Sequence, residues 1–438
     1  MIADNLRAGD IGDIRIESVA FGGQGVGRIQ GKVVFVPFTV EGDEVEIEIT
    51  SVRKKFALGI MRRILKASPY RTVPVCGYFG ECGGCQMQHI AYEHQLVIKE
   101  RQTGEIFTRL GKFPRPPLRE IIASPRSLHY RGKADYHVQA NAVGRPFSLG
   151  FVQTSKDAVL DIEGCEIVEE SINRSYRSWR DAVLRGEKKA PRDRQTIWSA
   201  SGENSCLEAQ EGSLPALITR TVGDRRFVVP SAGFFQVNSC LVSTLVEKVL
   251  SLADLKGGET VVDAYCGVGL FSIFLAPLAT TVVGIEINPE AVKCAGANMR
   301  EAGCTNVSFL QGDVGEVMKR WFAGGGRRAD VVILDPPRTG CDRKVLEAIS
   351  GMKAQRVIYI SCNPATQARD VRQLVESGFS LESLQPLDMF PQTAHIEVIA
   401  VLRGKGTVGH QISALPPAPG TQGVQVRQLP PGPLRTRR

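Results

Sequence analysis

At 438 residues, 43 % hydrophobic and 23 % charged, the chain has the composition of a globular protein of about two to four domains. No run approaches the ~18 apolar residues of a membrane span, and Met1-Ile-Ala-Asp-Asn-Leu-Arg7 lacks the profile of a signal peptide. A cytoplasmic protein acting as a monomer is therefore expected, and eleven cysteines, an odd number, point to thiols or metal ligands rather than a disulfide framework.

The net charge of +8 is concentrated at the C-terminus: Lys405, Arg427, Arg435, Arg437 and Arg438 stand among no acids and contribute +5, which leaves +3 for the body. That stretch, 404–438, is rich in Pro and Gly and is expected to be a disordered basic tail. A second cluster lies between Ser51 and Arg71, where Arg53, Lys54, Lys55, Arg62, Arg63, Lys66 and Arg71 occur without an acid. It reads either as a solvated face or as a patch that tracks phosphates.

From Asp10 to Leu65 short alternating segments succeed one another, with the turn-rich Gly22-Gly-Gln-Gly-Val-Gly-Arg28 between the first two. Five or so strands in so few residues predict a small closed barrel of the oligonucleotide-binding kind. The module resembles the TRAM domain of RNA-modifying enzymes, which makes RNA the expected partner. Next, Cys76-x5-Cys82-Gly-Gly-Cys85 sets three thiols in a glycine-rich loop able to wrap a metal or cluster. Cys165, in Gly164-Cys165-Glu166, is the candidate fourth ligand. Spacing does not separate structural zinc from a [4Fe–4S] cluster.

Residues 89–110 carry helical spacing on Leu96, Ile106, Phe107 and Leu110. Alternating segments between Ile121 and Leu160 predict a small sheet, and Tyr130-Arg-Gly-Lys133 reads either as an RNA-stacking element or as a solvated turn. A helix is expected over 168–184, and a long surface connection over 187–213.

After Ser231 strands alternate with helices, which implies a mostly parallel sheet. Asn238 is read as the N-cap of the first helix, whose apolar face is Leu241, Leu245, Val246, Val249 and Leu252. Asp263-Ala-Tyr-Cys-Gly267-Val-Gly269 forms a nucleotide-binding strand–turn–helix unit, with Glu286 about twenty residues on to meet a ribose. Ser272 stands where a dinucleotide fingerprint wants its third small residue, so S-adenosylmethionine fits better than NAD. Asp313, at the next strand end, is a candidate for adenine. Asp335-Pro-Pro-Arg338 fixes a loop beside the cofactor, and Ser361-Cys362-Asn363-Pro364 presents a thiol just past a β-branched run, as a nucleophile or as a small buried hydrophobe.

These motifs, together with Gly233-Phe-Phe-Gln236 and His395-Ile-Glu397, resemble the RNA 5-methyluridine methyltransferases of the TrmA/RumA family, with Gln392 where that family often has His. The resemblance runs to about Arg403. It implies an α/β multidomain chain: a TRAM-like OB-fold barrel over 1–70, a central α+β domain with a metal cluster over 71–230, and a Rossmann-like S-adenosylmethionine methyltransferase domain over 231–403. It also implies Gln236, Tyr265, Glu286 and Asp335 at the cofactor, Cys362 as nucleophile and Glu397 as base. Cys76, Cys82, Cys85 and Cys165 would hold [4Fe–4S], as in the branch acting on 23S rRNA. Such a nucleophile needs a thiol pKa below ~8.5 when the cofactor is bound. The alternatives are the same reaction on tRNA, a metal-stapled RNA-binding protein without activity, and an exocyclic-amine methyltransferase, which would not need Cys362.

Overall fold

A computed structural model describes residues 6–141, 144, 146–154, 157–199, 206–209, 217–323, 328–352 and 354–404. The predicted disorder of the tail falls on 405–438, outside these residues, whereas Gly404 ends the last strand. No helix among the described residues is long and apolar enough to cross a membrane.

The first five strands, β1 (Ile11–Val19), β2 (Gly25–Ile29), β3 (Lys32–Val36), β4 (Glu44–Val52) and β5 (Phe56–Lys66), close a barrel in the order β1-β2-β3-β5-β4. Period-two alternation turns Ile14, Ile16, Val34, Val36, Val45, Ile47 and Ile49 inward to form its core. The basic cluster is less free than the sequence suggests. β4 runs antiparallel beside β5 and brings acids opposite the cations, so that Arg62, Arg63 and Lys66 pair with Glu48, Glu46 and Glu44. Arg71 folds back onto the buried Asp43, at 2.6 Å.

Helix α1 (Tyr92–Arg109) begins three residues later than expected and buries a different face. Of the predicted apolar positions only Phe107 is fully buried; Gln95, Lys99, Gln102 and Thr103 go inside with Ile98. Gln95, Lys99 and Gln102 reach Gln392, Asp388 and Val19 O, partners distant in sequence that apolar periodicity cannot register.

The central sheet comprises β6 (Lys133–Ala140), β7 (Phe147–Val152) and β8 (Val159–Asp161), is covered by α2 (Glu170–Leu184), and adds β9 (Arg194–Ser199) and β10 (Cys206–Ala209). The order is β10-β9-β6-β7-β8. The expected surface connection over 187–213 is thus corrected within its described residues. Gln195, Ile197 and Trp198 are buried because β9 pairs with β6. Tyr136 stacks on Tyr176 with ring centroids 3.7 Å apart, tying helix to sheet.

A two-stranded ribbon, β11 (Leu217–Val222) and β12 (Arg225–Pro230), leads into α3 (Val242–Ala253). The helix starts a turn later than the Asn238 cap implies; Asn238 Oδ1 instead accepts from Cys240 and Leu241 N–H in the turn before it. Then follow β13 (Thr260–Ala264), α4 (Leu270–Leu275), β14 (Thr281–Glu286), α5 (Pro289–Glu301), β15 (Val307–Gln311), α6 (Val314–Ala323), β16 (Val331–Leu334), α7 (Arg343–Met352), β17 (Arg356–Ser361), α8 (Pro364–Glu376), β18 (Phe379–Leu387) and β19 (Glu397–Gly404). They make a seven-stranded sheet, β15-β14-β13-β16-β17-β19-β18, in which β13 to β17 run parallel and β19 runs antiparallel to both its neighbours, β17 and β18. Strands such as Val331–Leu334 are buried on both faces, and this is why they read as continuous apolar runs.

Candidate active site

The parallel strands deliver their loops to one edge of the sheet, where ligands of open α/β folds bind. Tyr265 to Gly269 follow β13, Glu286 ends β14, Asp313 follows β15, Asp335 follows β16 and Cys362 follows β17. Because β19 is antiparallel, its first residue reaches the same edge: Ser361 pairs with Val398, which sets Cys362 and Glu397 side by side at the strand ends.

The turn after β13 departs from ordinary backbone. Tyr265, Gly267 and Gly269 have φ of 65°, 55° and 84°. A Cβ on Gly269 would come within 2.8 Å of the Phe309 ring, so glycine is required there for both conformation and space. Glu286 shapes the turn, its Oε2 accepting from Gly267 N–H at 3.1 Å and its Oε1 from Asn288 N–H at 2.7 Å. Gln236, buried, donates to Asp335 Oδ2 at 3.4 Å. Asp313 is exposed and caps α6 by accepting from Glu316 N–H at 3.0 Å.

Three carboxyls crowd this edge. Burial pushes Asp263 up to about 7, and burial and Asp263 do the same for Asp335. Glu397, buried at the start of β19, is pushed well above the usual range by burial and then by Asp335, against which Arg338 works. Buried carboxyls in such company hold protons unless a cation joins them. Arg338 also reaches Cys362, and its Nη2 lies 2.7 Å from His395 Nδ1. Burial and the Arg338 charge lower the His395 pKa to about 4, so the ring is neutral and accepts through Nδ1. The Cys362 thiol is raised, first by burial and then by Glu397, despite Arg338. A thiolate-ready cysteine is thus not what the protein alone provides.

The loop 388–394 that precedes Glu397 is held by donors from other parts of the chain, which sequence reading missed. Asn238 Nδ2 donates to Met389 O, Lys99 Nζ to Phe390 O and Tyr130 Oη to Pro391 O. Gln392 adopts φ 67° and exchanges two hydrogen bonds with Gln95. The signal was present as a polar stripe at helical spacing, Gln95, Lys99 and Gln102. Tyr130 is corrected by the same geometry: it is fully buried under this loop and has no face for RNA, while Lys133 packs over the Trp198 ring.

Cys76, Cys82, Cys85 and Cys165 line a single cavity of about 200 Å³ with Phe79, Gln88 and Arg131. Burial is the main cause pushing Cys85 and Cys165 up to about 12. Among the described residues, however, no group of three or more His, Cys, Asp or Glu side chains is arranged as it stands to hold a metal ion.

The chain was compared with known proteins. A Halalkalibacterium halodurans protein named an uncharacterized RNA methyltransferase is 34 % identical over 449 residues, spanning 90 % of this chain and 97 % of the relative. The tRNA (Uracil-5-)-methyltransferase family pattern matches residues 218–405. This chain belongs to the RNA uracil-5-methyltransferase family. Like its relatives it is an RNA methyltransferase, and the TRAM domain pattern on residues 7–61 coincides with the barrel. A Gloeobacter violaceus relative of the same description is 33 % identical over 451 residues, with 91 % of this chain and 97 % of the relative covered. The crystal structure of Pyrococcus abyssi tRNA (uracil-54, C5)-methyltransferase in complex with S-adenosyl-L-homocysteine superposes with a TM-score of 0.69 at 23 % identity, covering 89 % of this chain and all of that one. The two share a fold over that length.

Proposed function

We propose that this methyltransferase forms 5-methyluridine at a specific position of 23S rRNA through a covalent cysteine–uracil adduct, with S-adenosylmethionine as methyl donor. The observation carrying this reading is the juxtaposition of Cys362 and Glu397 at the ends of paired strands β17 and β19. S-adenosylmethionine supplies an electrophilic methyl on a positively charged sulfonium. Asp263, Asp335 and Glu397, buried carboxyls that ionise more readily once a cation joins them, fit such a charge. Gln236, Tyr265, Glu286, Asp335 and Asp313 are the residues assigned to hold the donor.

Carbon 5 of uracil is too weak a nucleophile to take the methyl unaided, so the Cys362 thiolate adds to carbon 6 and makes carbon 5 an enolate carbon. Once its sulfur is a thioether, its negative charge no longer opposes ionisation of Glu397. Carbon 5 takes the methyl, and S-adenosylhomocysteine leaves; Glu397 then removes the remaining carbon-5 proton, and the electron pair freed forms the 5,6 double bond and expels Cys362 as thiolate from the methylated uridine. A paired uridine must first leave its stack to offer its ring to Cys362.

The four cysteines form an all-sulfur donor set on one cavity, which suits iron–sulfur or zinc. We assign them to a [4Fe–4S] cluster, and that assignment favours the 23S rRNA substrate. A second reading, tRNA, is favoured by the description of the matched family as tRNA (Uracil-5-)-methyltransferase. Incubation of purified enzyme and labelled donor with 23S rRNA and with tRNA transcripts, followed by nucleoside mapping, separates them. For the mechanism, Glu397→Gln is expected to accumulate a protein–RNA species on denaturing gels that Cys362→Ala abolishes. Free, unmodified RNA alone from Glu397→Gln would overturn the assignment.

A further inference from the structure

The cysteine loop and the turn that presents Glu397 are 308 positions apart in the chain yet directly joined. Gln86, immediately after Cys85, makes the junction. Its backbone N–H donates to Gln392 O at 3.1 Å, and the next N–H, of Met87, donates to the same oxygen at 3.0 Å. Its side-chain Oε1 accepts from Ala394 N–H at 3.2 Å, while its Nε2 donates to Gly83 O at 2.9 Å inside the cysteine loop. One side chain therefore holds the cysteine loop with its amide nitrogen and the catalytic turn with its amide oxygen. Ala394 lies only three residues before Glu397, and Thr393, Ala394 and Ile396 are buried, so displacement at 394 has little slack in which to dissipate.

The barrel closes on the same point. A Cβ on Gly23, at φ +86°, would come within 2.8 Å of Gln86 Cβ and 3.4 Å of Ala394 Cβ. The barrel turn, the cysteine loop and the catalytic turn thus meet at Gln86.

We propose that Gln86 is a positioning residue for methyl transfer, coupling the 76–85 cysteine loop to the 392–394 turn and so setting the placement of Glu397. This rests on the reading of Glu397 as the base. The reaction step affected is removal of the carbon-5 proton, since a small misplacement of a general base slows proton transfer more than it weakens binding.

The test compares Gln86→Met, which keeps length and loses both side-chain bonds, with Gln86→Glu, which keeps an acceptor oxygen for Ala394 N–H. Gln86→Met is expected to lower kcat by roughly 10- to 100-fold, leave KM for RNA and for S-adenosylmethionine unchanged, and accumulate the covalent RNA adduct. Amide hydrogen exchange over residues 392–397 should quicken, and Gln86→Glu should restore most of both. The coupling is overturned if Gln86→Met exchanges faster at 392–397 yet turns over at the wild-type rate. It is also overturned if both variants raise KM equally without a fall in kcat, which would mean a role in binding alone. Absence of an adduct from Glu397→Gln defeats the base assignment separately; the exchange data and the kcat-against-KM split still decide Gln86.

Discussion

Lys99 Nζ lies 2.6 Å from Asp388 Oδ1 in an interior where the two side chains are 1 % and 0 % exposed. The pair joins α1 to the loop that leads into Glu397, and the same ammonium donates to Phe390 O at 3.1 Å. Burial lowers the Lys99 pKa, and Asp388 opposes that shift.

Removing one partner leaves a buried charge without compensation, so Lys99→Met should destabilise the protein by about 3–5 kcal/mol. The double variant Lys99→Met/Asp388→Leu should recover most of that loss, because two apolar groups of similar volume leave nothing unpaired. Urea unfolding of the wild type, both single variants and the double variant measures this. Additive losses in the double variant would show that the pair is not coupled.

Activity should depend on pH through Cys362. Burial and Glu397 raise its pKa, and Arg338 lowers it. Since the thiolate is the proposed nucleophile, the thiolate fraction grows as pH rises, and kcat/KM should climb into the alkaline range. Arg338→Met removes the influence favouring the thiolate, so the midpoint of the rise should move upward by roughly one unit, whereas Arg338→Lys should move it less. The rate of Cys362 alkylation against pH, followed by mass spectrometry of its peptide, checks the shift without RNA. A midpoint that stays or falls in Arg338→Met contradicts the argument.

RNA affinity should rest on the β4–β5 turn rather than on the whole basic cluster. Arg53, Lys54 and Lys55 are exposed and stand opposite no acid in the described ion pairs, while Arg62, Arg63 and Lys66 are matched by glutamates. Replacing all three turn residues by Ala should flatten the slope of log K against log salt by about 2–3, at roughly 0.7–0.9 per phosphate contact. Arg63→Ala should leave it nearly unchanged. Filter binding across a salt series measures both. The point variants are cleaner than deletion of the barrel, which would also unpair Arg71 from Asp43 and Arg101 from Glu41.

Most of the architecture was legible because it follows from local pattern. Period-two segments such as Val45, Ile47 and Ile49 announce the barrel, and strand–glycine–helix order announces the parallel sheet. Strand β9 was hidden because its flanks are charged and its buried residues are only Gln195, Ile197 and Trp198. The cations of β5 looked free because their partners lie on β4, some fifteen residues earlier.

Sequence alone determined which chemistry-bearing residues exist and which strand ends would carry them, since a loop after an apolar strand has few places to go. It marked Cys362, Glu286 and Asp335 for that reason, and Glu397 through the family resemblance of His395-Ile-Glu397. Only the tertiary structure decided what surrounds them. Burial and mutual charge set the protonation of Asp335, Glu397 and Cys362, and a polar helix face together with Gln86 fixes the turn before Glu397. Those effects depend on distances between residues hundreds of positions apart, and no local pattern encodes them.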